Sequence, residues 1–132
     1  QWYVLRFELC QWCWFGCQHS MVLECILLSQ SNALAQLNYL KSINASIQRL
    51  EMGNEFYLNH IGYAWRFPTV ESYLSTIEPI VFHARALFPN VKISVVAETW
   101  YAAGASWGTK GWNAGLAKRH DLFDAVSMHE YS

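Results

Sequence analysis

Apolar and polar positions follow two different periods along the chain, and together they predict strands separated by helices. Apolar residues recur every three or four positions in 34–47 and in 70–88, which is typical of helices with one buried stripe. A third, shorter helix is predicted over about 112–119. Four apolar segments are predicted strands: 21–28, 49–55, 89–98 and 122–131. This alternation of strands and helices favours an α/β fold with a parallel sheet.

Polar residues indicate where the two longer helices begin. Pro68-Thr69 precedes the second helix, where threonine is a common cap. Ser31 or Asn32 is the predicted cap of the first helix. The tripeptide Asn44-Ala45-Ser46 matches a glycosylation sequon, but it falls inside the predicted first helix.

The second predicted strand stops at a polar pair, Asn54-Glu55. In sheets of parallel strands, ligands bind beyond the carboxyl ends of the strands, where loops carry polar groups that the sheet interior excludes. A carboxylate at a strand end is therefore well placed for chemistry. Glu55 is the leading candidate for a catalytic residue.

The segment Leu50-Glu51-Met52-Gly53-Asn54-Glu55 resembles the Glu-x-Gly-Asn-Glu motif of retaining glycoside hydrolases built on a (β/α)8 barrel. The resemblance is closest to the heparanase-like and arabinofuranosidase-like branches. It implies that Glu55 is the general acid/base and that Asn54 binds the 2-hydroxyl of the sugar. His129 and Tyr131 match a His-x-Tyr pattern that ends the sixth strand of the family and faces the sugar.

The resemblance covers approximately 21–132 and implies a partial TIM barrel of about four βα units, matching strands three to six of the family. A complete barrel needs roughly 250 residues. Retention requires two carboxyl groups about 5 to 5.5 Å apart. In the family the nucleophile is a Glu at the end of the seventh strand, and no residue here matches it. We expect that nucleophile to be encoded beyond residue 132.

Other residues are weaker candidates for the same site. Glu98 and Glu130 end predicted strands and are candidate substitutes for the second carboxylate, but the favoured interpretation is that Glu98 pairs with a nearby base and that Glu130 points away from the site. Aromatic residues make up 16% of the chain and stack well on sugar rings. Trp100, in a loop rich in Trp and Gly, and Tyr57 are therefore expected to bind substrate.

The first twenty residues differ from the rest and form an atypical segment, 1–20, rich in Cys and Trp. Its Cys10, Cys13, Cys17 and His19 have a spacing that could hold zinc or part of an iron–sulfur cluster. No second ligand pair follows at zinc-finger distance. We favour a divergent strand and loop, or a mistranslated exon, and expect neither a metal nor a cofactor.

Charge and hydropathy narrow the choice of partners. The formal net charge of −1 gives no indication of a nucleic-acid partner. Neither a signal peptide nor a membrane-spanning helix is evident, so no membrane partner is expected. Carbohydrate is the expected partner. Localisation and oligomeric state stay open, with secretion expected if the parent protein carries a signal peptide.

Two alternatives from other classes remain. One is a non-catalytic carbohydrate-binding or structural chain that keeps barrel-derived strands. Its sugar binding would survive Glu55→Gln. The more remote alternative is a small metal-binding protein, which would lose stoichiometric zinc or iron on Cys10→Ala or Cys13→Ala.

Overall fold

The structure of the protein is a computed structural model that describes residues 20–22, 29–58, 63–99 and 110–128. The elements in chain order are β1 (Ser20–Val22), α1 (Gln30–Ser42), β2 (Arg49–Met52), a 3₁₀ turn (Tyr63–Trp65), α2 (Val70–Leu87), β3 (Lys92–Val96), α3 (Trp112–Ala117) and β4 (Ala125–Ser127). The mixed α/β class predicted from the sequence is confirmed.

The four strands form one parallel sheet whose strand order, β1-β2-β3-β4, follows the sequence. Leu50 pairs with Ile93, and Val95 pairs with Val126. Each strand therefore lies beside the next one along the chain, with a helical connection between consecutive strands. Helix α1 contacts α2, and α2 contacts α3, which makes the helices one continuous layer.

The hydrophobic core lies between this helix layer and the sheet. Leu50 and Met52 of β2 are fully buried, whereas Glu51 between them is only partly buried. This alternation is expected of a strand with one face against helices. The fully buried aliphatic residues of the other elements are Ala33, Leu37, Ile77, Ile80, Val81, Ala84, Ile93, Val95 and Val96.

Helix α1 begins and ends earlier than the sequence predicted. Its cap is Ser29, whose hydroxyl accepts from the Asn32 N–H at 3.4 Å, so the prediction of Ser31 or Asn32 as the cap was wrong. The helix ends at Ser42 because Asn44 adopts a left-handed conformation with φ 55°. The sequon at Asn44 therefore lies in an exposed turn and not inside a helix.

Two hydrogen bonds close the end of α1. The Ala45 N–H donates to the Leu40 carbonyl at 2.9 Å, and the Asn44 N–H donates to the Lys41 carbonyl at 3.1 Å. This is a Schellman motif, in which a residue tolerant of positive φ satisfies the last carbonyls of a helix. The apolar spacing in the sequence continues to Ile47, but the helix ends at Ser42.

Helix α2 agrees with the prediction. Thr69 is its cap, and the hydroxyl of Thr69 accepts from the Ser72 N–H at 3.2 Å while the Ser72 hydroxyl accepts from the Thr69 N–H at 3.3 Å. This reciprocal capping box satisfies donors that the first turn of a helix leaves free. The helix continues through Pro79 to Leu87.

Strand β2 is shorter than predicted. It ends at Met52, two residues before Asn54, because Gly53 takes a φ of 104° that leaves the extended region. Strand alternation therefore stops before Glu55.

At the opposite, amino-terminal end of the sheet, Asp124 fixes β3 to β4. Its carboxylate accepts from the Ile93 N–H at 3.0 Å and from Lys92 Nζ at 3.1 Å, and lies 3.4 Å from Arg85 Nη2. Partial burial acts to raise the pKa of Asp124, but these hydrogen bonds and charges outweigh it and hold the pKa below its usual value of 3.8.

Asp124→Asn is expected to lower the free energy of unfolding at neutral pH by about 1 kcal/mol, since the site is partly exposed. A lowered pKa gives stability that is present above pH 3.8 and is lost as the pH falls through the folded-state pKa. The difference in free energy of unfolding between Asp124→Asn and the parent protein should therefore become smaller in acid. Urea unfolding at several pH values measures it. Equal stability of the parent protein and Asp124→Asn at neutral pH would contradict the prediction.

Candidate functional site

The candidate site lies at the carboxyl ends of β2, β3 and β4, which meet at one edge of the sheet because the strands are parallel. Asn54 and Glu55 follow β2, and Glu98 and Thr99 follow β3. Glu55 and Glu98 each lie three residues beyond a paired position, since Met52 pairs with Val95. Two carboxyl groups therefore belong to the same end of neighbouring strands.

The backbone after β2 has a conformation that few residues tolerate. A Cβ atom on Gly53 would lie 1.9 Å from Cε2 of Phe56, so both the positive φ and the contact require glycine. Glu55 has φ 50°, which costs a non-glycine residue about 1–2 kcal/mol. Its carbonyl accepts from the Leu58 N–H at 3.0 Å, closing a turn. Glu55, which begins this turn, and Asn54 before it are both partly buried.

Two aromatic side chains from the helix layer hold the strand ends. The Tyr73 hydroxyl donates to the Met52 carbonyl at 2.6 Å, and Trp112 Nε1 donates to the Val96 carbonyl at 2.8 Å. Their ring centroids are 5.1 Å apart, and both side chains are fully buried. The ends of β2 and β3 are therefore fixed to the same aromatic contact.

Glu98 and Thr99 are the two buried polar residues of the described chain. They are 5% and 0% exposed. Within the described residues, Glu98 Oε1 and Thr99 Oγ1 have no hydrogen-bond partner. Burial raises the pKa of Glu98 above its usual value of 4.5, because removal from water disfavours the charged form. None of the ion pairs of the described residues involves Glu98, so the predicted pairing with a base is not seen there.

Asn113, in the first turn of α3, fixes the backbone of Glu98. Asn113 Oδ1 accepts from the Glu98 N–H at 2.8 Å, and Asn113 Nδ2 donates to the Glu98 carbonyl at 2.9 Å. The Asn113 side chain thus makes the backbone hydrogen bonds that a neighbouring strand would otherwise make with Glu98. Trp112 and Asn113 together anchor α3 to the end of β3.

The structure describes only some of the residues that the sequence nominated. Tyr57 is 1% exposed, and its ring contacts Trp112 at 6.3 Å between centroids, which favours a packing role. The remaining nominated residues lie outside the described residues and stay predictions: Trp100, His129, Glu130, Tyr131, Cys10, Cys13, Cys17 and His19.

Sequence reasoning missed the residues that support the site. Tyr73 was assigned to an apolar stripe, although a buried tyrosine usually finds a partner for its hydroxyl, and that was the available signal. Asn113 is 15 residues from Glu98 along the chain, and no local pattern links them. No sequence pattern indicated that Thr99 would belong to the site.

None of the helices in the described ranges is long and apolar enough to cross a membrane. In the same ranges, no group of three or more His, Cys, Asp or Glu residues could hold a metal ion. The cysteine-rich segment 1–20 lies almost entirely outside them, so its metal chemistry stays an untested hypothesis.

No protein-family model, curated protein or solved structure matches this chain.

Tyr73→Phe is expected to lower the free energy of unfolding by about 1–2 kcal/mol, because it leaves the buried Met52 carbonyl without this donor. Urea unfolding followed by far-UV circular dichroism measures the change. Tyr39→Phe removes a hydroxyl from a residue that is 60% exposed, and should change stability by less than about 0.5 kcal/mol. Equal effects of the two substitutions would contradict the role given to Tyr73.

Glu98→Gln is expected to raise stability at neutral pH, by on the order of 1 kcal/mol, because it removes a charge that burial disfavours. Since the pKa of Glu98 is raised, the folded protein keeps a proton that the unfolded chain loses above pH 4.5. The stability of the parent protein should therefore fall relative to Glu98→Gln as the pH rises through the folded-state pKa. Below pH 4.5 the free energies of unfolding of the parent protein and Glu98→Gln should converge. A constant difference at all pH values would show that the carboxyl does not titrate in this way.

Proposed function

We propose that these residues form the central part of a retaining glycoside hydrolase with a (β/α)8 barrel, in which Glu55 is the general acid/base. One observation carries the proposal: Glu55 follows the carboxyl end of a parallel strand in a left-handed conformation that glutamate rarely adopts. Strained backbone persists where the surroundings enforce it, and it clusters at active sites. The strain therefore supports a role for Glu55 beyond packing.

The strand order supports a barrel over the other common parallel architecture. In a doubly wound sheet the order reverses at a switch point and helices cover both faces. Here neighbouring strands are consecutive throughout, and the three helices pack side by side. A barrel repeats this arrangement eight times.

The two faces of the sheet support the same architecture. Glu51 and Ser94 pair across β2 and β3 and are partly buried on the face away from the core. In a barrel this face becomes the interior. Val126 of β4 is paired with the core residue Val95 but is 50% exposed, and a further helix in the complete barrel would cover it.

In the proposed mechanism Glu55 first donates a proton to the oxygen of the departing sugar and then removes a proton from the attacking water. Asn54 hydrogen-bonds the 2-hydroxyl of the substrate. The nucleophile is a second carboxylate about 5 to 5.5 Å from the acid/base, supplied by a strand outside these residues. His129, Tyr131 and Trp100 are proposed to bind the sugar, as the sequence predicted. Glucuronide-containing glycans and arabinofuranosides are the proposed substrates.

The proposal is tested on the complete encoded protein. The transcript is read beyond the codon for Ser132, and the protein is expressed and assayed with aryl β-glucuronides and aryl α-arabinofuranosides. Glu55→Gln should lower the rate by about 10²- to 10⁴-fold for leaving groups that need a proton. It should have much less effect on the first step with 2,4-dinitrophenyl glycosides, because that leaving group departs without protonation. Glu71→Gln, which replaces an exposed carboxylate on α2, is the matched control.

Two results would contradict the proposal. One is a stop codon directly after Ser132, because no second carboxylate strand could then follow. The other is hydrolysis that Glu55→Gln leaves unchanged with every leaving group. Sugar binding without hydrolysis, retained in Glu55→Gln, would instead favour a non-catalytic carbohydrate-binding chain.

A further inference from the structure

An open groove of about 450 Å³ lies at the amino-terminal end of the sheet, opposite to the end that carries Asn54 and Glu55. Its walls include the loops that lead from α1 into β2 and from α2 into β3. A hydrogen bond of 2.9 Å from the Lys92 N–H to the Gln48 carbonyl joins these two segments. The volume lies in the range of about 300–1,000 Å³ that is typical of small-molecule sites.

Basic side chains from three elements line this groove, which we call the basic groove. Lys41 comes from the last turn of α1, Arg49 is the first residue of β2, and Lys92 is the first residue of β3. None of the described residues that line the groove is an aspartate or a glutamate. The chain as a whole has nine basic and ten acidic residues, so the positive charge of the groove is a local feature. A concave surface lined by charges of one sign attracts ions of the other sign.

The strand register brings two of these cations together. Arg49 of β2 is the paired neighbour of Lys92 in β3. Neighbouring strands are about 4.8 Å apart, and like charges at paired positions repel each other. Asp124 offsets part of the charge, since its Oδ1 lies 3.1 Å from Lys92 Nζ. An anion bound in the groove would relieve the repulsion that remains.

The other two cations are not neutralised by the protein. None of the ion pairs of the described residues involves Lys41 or Arg49. Lys41 is nevertheless positioned, because its Nζ lies 5.7 Å from the centroid of the Phe88 ring, within the range of a cation–π contact. Phe88 is buried and also lines the groove. An ammonium group held in place before a ligand arrives loses less entropy on binding.

Uncharged polar side chains complete the lining of the groove. Ser46, Gln48 and Asn90 lie among the cations and carry hydroxyl or amide donors. A ligand with several oxygen acceptors could therefore be bound by charged and neutral donors together.

We propose that the basic groove binds a small compound that carries two or more phosphate groups. A guanidinium group matches the geometry of phosphate oxygens, and an ammonium group binds phosphate as a point charge. Each phosphate monoester group carries a charge of about −1.5 to −2 at neutral pH. Two such groups supply enough negative charge for three cations, whereas two carboxylates do not. The net charge of −1 and the confinement of these cations to one groove favour a small molecule over a nucleic acid.

The test measures the affinity of the complete encoded protein for pyrophosphate by isothermal titration calorimetry at low ionic strength. Arg49→Gln and Lys41→Gln should each weaken binding about tenfold, because each removes a charged donor from the groove. Both positions are exposed, so both variants should keep the far-UV circular dichroism of the parent protein. If one of the two does not fold, the other decides the test.

Lys118→Gln is the matched control. Lys118 is an exposed residue that follows α3, outside the basic groove, and its replacement changes the net charge by the same amount. Pyrophosphate affinity in this variant should stay within about twofold of the parent protein, because solvent and salt screen a distant surface charge. Citrate, which carries carboxylates in place of phosphates, should bind the parent protein more weakly than pyrophosphate.

The proposal is overturned if pyrophosphate does not bind the parent protein saturably, or if Lys118→Gln weakens binding as much as Arg49→Gln and Lys41→Gln do. Citrate binding as tight as that of pyrophosphate would overturn the assignment to phosphate groups. Tighter binding of a single-stranded oligonucleotide would overturn the assignment to a small molecule. The groove lies at the end of the sheet opposite to Glu55, so these results do not depend on whether Glu55→Gln affects hydrolysis.

Discussion

The last carbonyl groups of β2 and β3 are each held by an aromatic side chain of the helix layer, and the geometry of the candidate site depends on these two hydrogen bonds. Tyr73 binds the Met52 carbonyl, and Trp112 binds the Val96 carbonyl. Because the two rings contact each other, neither strand end can shift without disturbing the other. Burial among apolar groups strengthens such hydrogen bonds, since water does not compete for the donors.

The residues that follow Met52 and Val96 are in less favourable local environments than the layer that supports them. The supporting layer is apolar and its polar atoms are paired, whereas the next residues include a strained Glu55 and the unpartnered oxygens of Glu98 and Thr99 within the described residues. Such departures from local rules are expected where a site is maintained at a cost in stability. The rigid aromatic contact explains how the fold tolerates them, because the departures are confined to residues after the strands.

The sequence predicted elements whose signals are local. Helix α2 combines a long apolar stripe with the Thr69 cap, and both act within a few residues. The end of α1 was missed because the left-handed Asn44 overrides an apolar spacing that continues to Ile47. Asn54 and Glu55 could be nominated from the sequence because they interrupt an apolar run. The burial of Glu98 was not foreseen, since it depends on packing and on a contact 15 residues away.

The two carboxyl groups at this edge differ in environment, and the difference separates their roles. Glu55 is partly buried in a turn, whereas Glu98 is 5% exposed and fixed by Asn113. Sites that use two carboxyl groups assign their roles through such differences. A nucleophile must be ionised to attack, and burial raises the pKa of Glu98, which opposes ionisation. Burial therefore makes Glu98 a poor nucleophile, and the proposed retaining mechanism takes its nucleophile from another strand.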